Sequence, residues 1–433
     1  MDRAQQFVGD ELAGAAVVLD AIPGAEGQEA QLFRRYIAWV ASVVAAGVVL
    51  VLACTVVIDP YHLFNLVHAD GFNRLKPQPE RYREEIKLAQ AASIRPNMFV
   101  FGNSRAEIGL DPDSRWIRER GLSAYNMALA GTRLDVSQRM FESARTGMPP
   151  PALAVIGVEF TDFLVDASAP PPAQPAQHGF QGMPWQWRFD TVFSLNAVAD
   201  AVTTLRIQRL STPQTMTPRG HNPLREYEGF ARTEGYFSIF QQRAQENAKN
   251  LVARPHGLFL PGGADSDSTL RLRAMLDRMA RERTEVHLVI YPYHAQLMAM
   301  FEEVGLQGAL DEWRRLLVRE ADRARARNDG ARITVWDFSG YGPEQCERIP
   351  AAGDRRSTTR WYWEGGHFKS TLGELMLQRM MGGAEAPGVV LTATTLAHNA
   401  QRIASERVRC ASVYPDVFAG AQSLIAGARG MAR

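Results

Sequence analysis

From Tyr36 to Ile58 the chain reads YIAWVASVVAAGVVLVLACTVVI, with no charged residue. Wound as a helix, a run of this length spans roughly 30 Å, the thickness of a bilayer's hydrocarbon. Nothing polar marks a second face, as a helix buried in a globular core would show. The run begins too far into the chain, and is too long, for the core of a cleaved signal peptide. Arg34 and Arg35 precede it, and Asp59 and Pro60 follow it. The positive-inside bias then places residues 1–35 in the cytoplasm as a short tail, 36–58 in the membrane as a single pass, and the remainder outside.

The 433 residues leave room for one large or two ordinary domains besides the span. An apolar share of 46% against 22% charged describes a folded chain. The net charge of +1, with Lys and Arg scattered, argues against nucleic acid as a partner. Of the three cysteines, Cys54 falls inside the span, and Cys346 and Cys410 lie beyond it. An oxidising compartment would allow those two to pair, but their spacing does not say whether they meet. The histidines and cysteines show no metal-ligand spacing, so neither a metal nor a cofactor is expected.

Residues 59–96 read as a connector and a helix with Glu84, Glu85 and Lys87 on a solvated face. A rhythm then begins. Met98–Gly102 is a short apolar run, Ala124–Ala128 a weaker one, and Leu153–Phe160, Val286–Tyr291 and Ile333–Phe338 are further runs rich in β-branched and aromatic residues. Helical periodicity falls between most of them, at Gln138–Thr146, Thr269–Glu282 and Leu310–Arg327. Continuous apolar strands alternating with helices predict an α/β domain over 97–385, with a mostly parallel sheet covered on both faces. Residues 165–265 break the rhythm with a Pro-rich stretch, Pro170–Pro175, and read as a cap insertion, helical near 191–211 and 233–252. Residues 386–433 read as a helical extension.

In such sheets, ligands bind beyond the carboxyl ends of the strands. After the first run comes Gly102-Asn103-Ser104-Arg105. Ser104 there is either a helix N-cap or an exposed nucleophile with its N–H at a helix start. After the second come Asn126 and Gly131; the glycine serves either a turn or the close approach of a backbone N–H to a ligand. Late in the chain, Glu364-Gly365-Gly366-His367 sets an acid three residues before a histidine. That acid can hold the imidazole in the tautomer a hydrolytic triad needs; otherwise the pair is a surface histidine with a neighbouring acid.

The order of these pieces resembles the SGNH (GDSL-like) hydrolase superfamily. Its serine follows the first strand, its glycine the second, and its acid-x-x-His pair stands near the domain's C-terminal end. The segments FGNSRAEIGLDP, YNMALAG, VIGVEFTDF and YWEGGHFKSTLGELML are similar to a membrane-anchored bacterial subgroup near the alginate O-acetylation proteins. The resemblance covers roughly 95–385. It implies a three-layer α/β/α flavodoxin-like fold with Ser104, His367 and Glu364 as a catalytic triad. It also implies an esterase or O-acyltransferase working outside the inner membrane on an acetyl ester of a cell-surface polysaccharide. The alternative it leaves is a weak or inactive scaffold that binds glycan or a membrane-bound acyltransferase.

The chain departs from the family pattern in two places. The acid is Glu364 where the family has Asp, which makes Asp337 a rival orienting acid. The family's oxyanion-binding Asn is missing from the strand end Tyr291-Pro292-Tyr293-His294, so His294 either donates there, beside Ser104 and Gly131, which is the reading preferred, or simply packs. Arg105 and Arg133 flank the site, either to bind an anionic group or to pair with Glu107 or Asp135.

Overall fold

The computed structural model describes residues 25–166, 191–253, 257–383 and 386–431. They fall into two units, Met1–Val57 and Ile58–Arg433. The first is carried by helix α1 (Ala25–Ile58), which begins upstream of the uncharged run. Its stretch Ala30–Ile58 is long and apolar enough to cross a membrane. Its large side chains stand exposed, Trp39 at 73% and Leu50 at 64%. Among the described residues little covers this stretch, and exposed apolar surface of that extent is costly in water.

The second unit is α/β. Its strands are β1 (Met98–Phe101), β2 (Ala124–Asn126), β3 (Leu153–Val158), β4 (Phe259–Leu260), β5 (Ala264–Asp265), β6 (Glu285–Ile290), β7 (Ile333–Asp337), β8 (Tyr362–Glu364), β9 (His367–Phe368) and β10 (Val389–Leu391). The helices that matter below are α2 (Arg83–Ile94), α3 (Ser104–Gly109), α4 (Leu134–Gly147), α5 (Leu195–Ile207), α6 (Glu226–Glu234), α7 (Tyr236–Val252), α8 (Asp267–Arg281), α9 (Ala295–Glu303), α10 (Gln307–Arg327), α11 (Ser370–Met380), α12 (Leu396–Val413) and α13 (Pro415–Met431). All five apolar runs form strands of the central sheet, and all three periodic segments lie in helices.

The central sheet runs β10-β7-β6-β3-β1-β2. β2, β1, β3, β6 and β7 are parallel, and β10 joins β7 antiparallel. β1 and β3 are buried at every position, which is why their sequences are continuous apolar runs. The chain steps from β1 outward to β2, then returns across β1 to β3 and continues to β6. Strand order therefore reverses between β1 and β3, and the crevice beyond the carboxyl ends of those two strands is where such a sheet binds ligands.

Two expectations need correction, and one open pairing is decided. Residues 386–431 are not simply a helical tail. They open with edge strand β10, and α13 packs on α7 and α9. Apolar Val389, Val390 and Leu391 pair with β7, a contact that helix-period reasoning misses. Cys346 and Cys410 form a disulfide, with Cα atoms 5.9 Å apart, tying the loop after β7 to α12. Lys87 does not face solvent. It is buried, with Nζ 2.9 Å from Glu107 and donating to the carbonyls of Asn126 at 3.2 Å and Gly220 at 2.8 Å.

The insertion is closed at its neck by Val165 and Gly257, which exchange backbone hydrogen bonds of 2.7 and 2.9 Å. α5 and α7 lie within it where the helical periodicity predicts helices, and α6, which that reading did not include, precedes α7. Pro170–Pro175 lies outside the described residues.

Candidate active site

β1 ends beneath a turn that only glycine allows. Gly102 has φ +148, and a Cβ there would stand 2.4 Å from the Tyr291 hydroxyl; a Cβ on Gly157 of β3 would stand 2.1 Å from the same oxygen. The two glycines let β1 and β3 close over this phenol. Asn103 then caps α3, its Oδ1 accepting the Arg105 N–H at 3.0 Å. The capping duty open to Ser104 in sequence thus falls to its neighbour. Ser104 is the first helical residue. Its hydroxyl is free for another partner, and its backbone N–H has no acceptor within the helix.

That partner is His367. Its Nε2 lies 2.8 Å from Ser104 Oγ, across 263 residues of sequence. Its Nδ1 is bonded to Glu364 Oε1, and Glu364 Oε2 accepts the Gly366 N–H at 2.8 Å. A carboxylate only accepts, so Nδ1 carries the proton and Nε2 is left to accept from the serine hydroxyl. The Glu364 side chain is 2% exposed and the His367 side chain 22%. Burial works against the charge of Glu364. The adjacent imidazole, the Gly366 N–H and the Arg105 guanidinium outweigh it and hold the carboxyl down to about 2.

The β8–β9 hairpin that carries Glu364 and His367 docks closely on α3. A Cβ on Gly109 would fall 1.9 Å from the Phe368 ring, and one on Gly373 of α11 only 1.7 Å from the Gly109 carbonyl. Arg105 adds a clamp. Its Nε donates to Gly366 O at 2.7 Å, and its guanidinium pairs with Glu159 at the end of β3. Tyr293 donates to the same carboxylate at 3.0 Å. Arg105 therefore joins the serine turn, β3 and the histidine hairpin, and its partner is neither Glu107 nor Asp135. Burial raises the neighbouring Asp162 carboxyl to about 7, and the Glu159 charge adds to that. Arg133 lies 3.5 Å from Asp162, not at Asp135.

The other expected residues are placed differently. Asn126 is fully buried, donating to the Ala106 and Leu110 carbonyls at 2.8 and 2.9 Å and accepting from the Ala128 N–H. It braces the β2 loop against α3 and has no free donor. His294 is also buried: Nε2 donates to Glu347 O at 2.7 Å, and Nδ1 accepts the Gln296 N–H at the start of α9. Burial lowers its pKa to about 4, so it is a neutral helix cap, not an oxyanion donor. It follows β6, one strand further from β1 than β3 is. Gly131 has φ +75 and open space around it, in a loop whose Leu129 N–H bonds Gly102 O at 3.1 Å beside the serine turn. Asp337 is taken up by Arg314, Ser339 and Asn399 and does not reach His367.

Sequence reading missed Asn103 as the cap and Glu159 as the clamp's acid. Glu159 stands in VIGVEFTDF, at the end of the strand adjoining β1, a placement visible only once the strand order is known. A cavity of 140 Å³ adjoins this clamp, lined by Arg105, Glu159, Asn247, Asn250, Leu297 and Phe301 among others. Among the described residues, no group of three or more His, Cys, Asp or Glu side chains is arranged to hold a metal. No protein-family model matches the chain, and no curated protein matches it. What the geometry allows is proton transfer from Ser104 Oγ to His367 Nε2, with the imidazolium that forms held by Glu364.

Proposed function

We propose that the chain is a membrane-anchored serine esterase or O-acyltransferase of SGNH type, on a three-layer flavodoxin-like sheet. The observation that carries this reading is the 2.8 Å contact of Ser104 Oγ with His367 Nε2, the other ring nitrogen being bonded to Glu364. Ser104 gives its proton to His367 as its oxygen attacks an ester carbonyl carbon. The tetrahedral oxyanion is met by the backbone N–H groups of Ser104 and Gly131. His367 then protonates the departing alkoxide, leaving an acyl-Ser104. Water or a sugar hydroxyl, deprotonated by His367, takes the acyl group. The resemblance points to an acetyl ester of a cell-surface polysaccharide as substrate. Arg34 and Arg35 before the span support an outer-face position for the domain, and the resemblance points to a bacterial inner membrane. The Cys346–Cys410 disulfide supports that oxidising side.

A second reading is favoured by the engagement of Asn126 and His294, which leaves the oxyanion to backbone donors. Losing one donor costs about 10²–10³ in rate, so a scaffold that binds glycan or a membrane acyltransferase is its natural form. The experiment is reaction of the full chain in detergent with a fluorophosphonate, read by intact mass. Labelling of the wild type, but not of Ser104→Ala or His367→Ala, supports the enzyme. No labelling, with circular dichroism intact, overturns it in favour of the scaffold.

A further inference from the structure

The residue at which the apolar span ends is built into the domain. The Ile58 carbonyl accepts from Asn73 Nδ2 at 3.2 Å and from Lys76 Nζ at 2.8 Å. The next residue, Asp59, uses its carboxylate to collect the N–H groups of Leu63, Phe64 and Asn65 at 2.8, 3.1 and 2.8 Å. The chain is thereby folded back at its exit point. Asn73 Nδ2 also donates to the Val67 carbonyl at 2.8 Å, which draws this turn towards Ile58; Phe64, Leu66 and Val67 on it are exposed at 42%, 65% and 36%.

α5 is fastened to this same segment. Tyr61 bonds Asp200 at 2.5 Å, and Gln208 exchanges hydrogen bonds with the backbone of Leu75 at 3.0 and 2.8 Å. The helix turns aliphatic side chains outward among polar ones. Its inward positions are Ala197, Ala201, Thr204 and Ile207, mostly small, whereas Leu195, Val202 and Leu205 point outward at 89%, 43% and 37% exposure. A surface helix ordinarily turns its aliphatic side chains to the core. Exposed Arg206 and Arg209 lie at the end of the helix and just past it, with Leu210 beside them at 57% exposure. Outward aliphatics flanked by arginine, on an element tied to the end of a membrane span, match the composition of an interfacial helix.

We infer that Phe64, Leu66 and Val67, with the outer face of α5, form a seat by which the domain rests in the headgroup region of the bilayer its own span enters. The occupant is lipid, because Asp59, Asn73 and Lys76 hold this patch at the chain's exit from the span. The inference rests on α1 crossing a bilayer and is independent of the chemistry at Ser104.

The test uses the full chain, one copy per disc, in nanodiscs of phosphatidylcholine and phosphatidylglycerol, in a Cys54→Ala background. Single Leu66→Cys, Leu195→Cys and Leu205→Cys variants carry an environment-sensitive fluorophore, with Val408→Cys as a water-exposed reference and Val48→Cys in the span. Labels at 66, 195 and 205 are expected to be quenched by nitroxide lipids and shielded several-fold from iodide relative to 408. If the label at 48 is quenched by lipid while 66, 195 and 205 remain open to iodide, the seat is wrong and the span stands. Shielding from both quenchers means protein covers the patch and also overturns the seat. If 48 escapes lipid quenching, the span reading fails and takes the seat with it.

Discussion

Arg105, the residue immediately after Ser104, donates its Nε–H at 2.7 Å to the carbonyl of Gly366, the residue immediately before His367. The serine and the histidine are thus held together by a bond between their chain neighbours, not only by their own. Glu159 anchors the other end of the guanidinium to β3. The clamp spans three elements and keeps a hydroxyl on a six-residue helix in register with an imidazole on a two-residue strand.

Replacing Arg105 by lysine tests this. Lysine keeps the charge but has no fork with which to reach both Glu159 and Gly366 O. A misplacement of about 1 Å at a reacting pair costs on the order of 10²-fold. Arg105→Lys is expected to slow fluorophosphonate labelling of Ser104 by about that factor, measured as a second-order rate. An unchanged rate would mean that the hairpin glycines alone set the geometry.

Glu364 links stability to pH. Its folded pKa of about 2 lies below the ordinary carboxylate value, so the stabilisation is complete above roughly pH 4.3 and is lost as pH falls towards 2. In denaturant titrations the stability gap between wild type and Glu364→Gln should be widest near neutrality and shrink over that acid window. Gln also offers His367 Nδ1 an amide donor and favours the wrong tautomer, so labelling should fall by about 10³–10⁴-fold. A pH-independent gap would show that the carboxylate charge is not what Glu364 contributes.

Gly109 and Gly373 set how closely α3 approaches the hairpin and α11. A methyl on Gly373 would meet backbone, which no rotamer change relieves. Overpacking of this kind costs about 1–3 kcal/mol, so Gly109→Ala and Gly373→Ala should each lower Tm by several degrees and slow labelling of the folded fraction. Gly308→Ala, on α10 with nothing within 4 Å of its Cβ, should be neutral or raise Tm slightly. Equal Tm for all three variants would contradict the packing described here.

The Cys346–Cys410 bond closes a separation of 64 residues. Chain entropy assigns a loop of that length about 4 kcal/mol. Paired Cys346→Ala and Cys410→Ala substitutions should lower unfolding stability by roughly that amount in the same chaotrope series. Non-reduced peptide mapping should find the two cysteines linked when the chain is isolated from its native cells without reductant. Free thiols at both positions would place the domain on the reducing side.

Within short windows the chain is explicit about itself. The uncharged run ending at Ile58, the apolar runs of β1, β3, β6 and β7, and the glycine-flanked Ser104 and His367 are all local patterns. Hydrophobic period and turn chemistry act between near neighbours, so those elements were legible without a partner in view. The errors share one cause. Lys87 has the pattern of a solvated residue until Glu107 and the carbonyls of the β2 loop surround it. Asn126 and His294 are polar residues near strand ends, the right place for site residues, and only packing reveals that their donors and acceptors are already occupied. Glu159 becomes visible as the clamp's acid only when β3 lies beside β1, and β10 becomes a strand only because β7 presents an open edge. The sequence alone determined the central parallel strands, the helices between them and a run apolar enough to cross a membrane, together with the types of side chain the site would need. Tertiary structure decided which polar groups were left free to act, because a buried hydrogen-bonding group takes whatever partner the fold brings within reach, and here those partners stand far away in sequence.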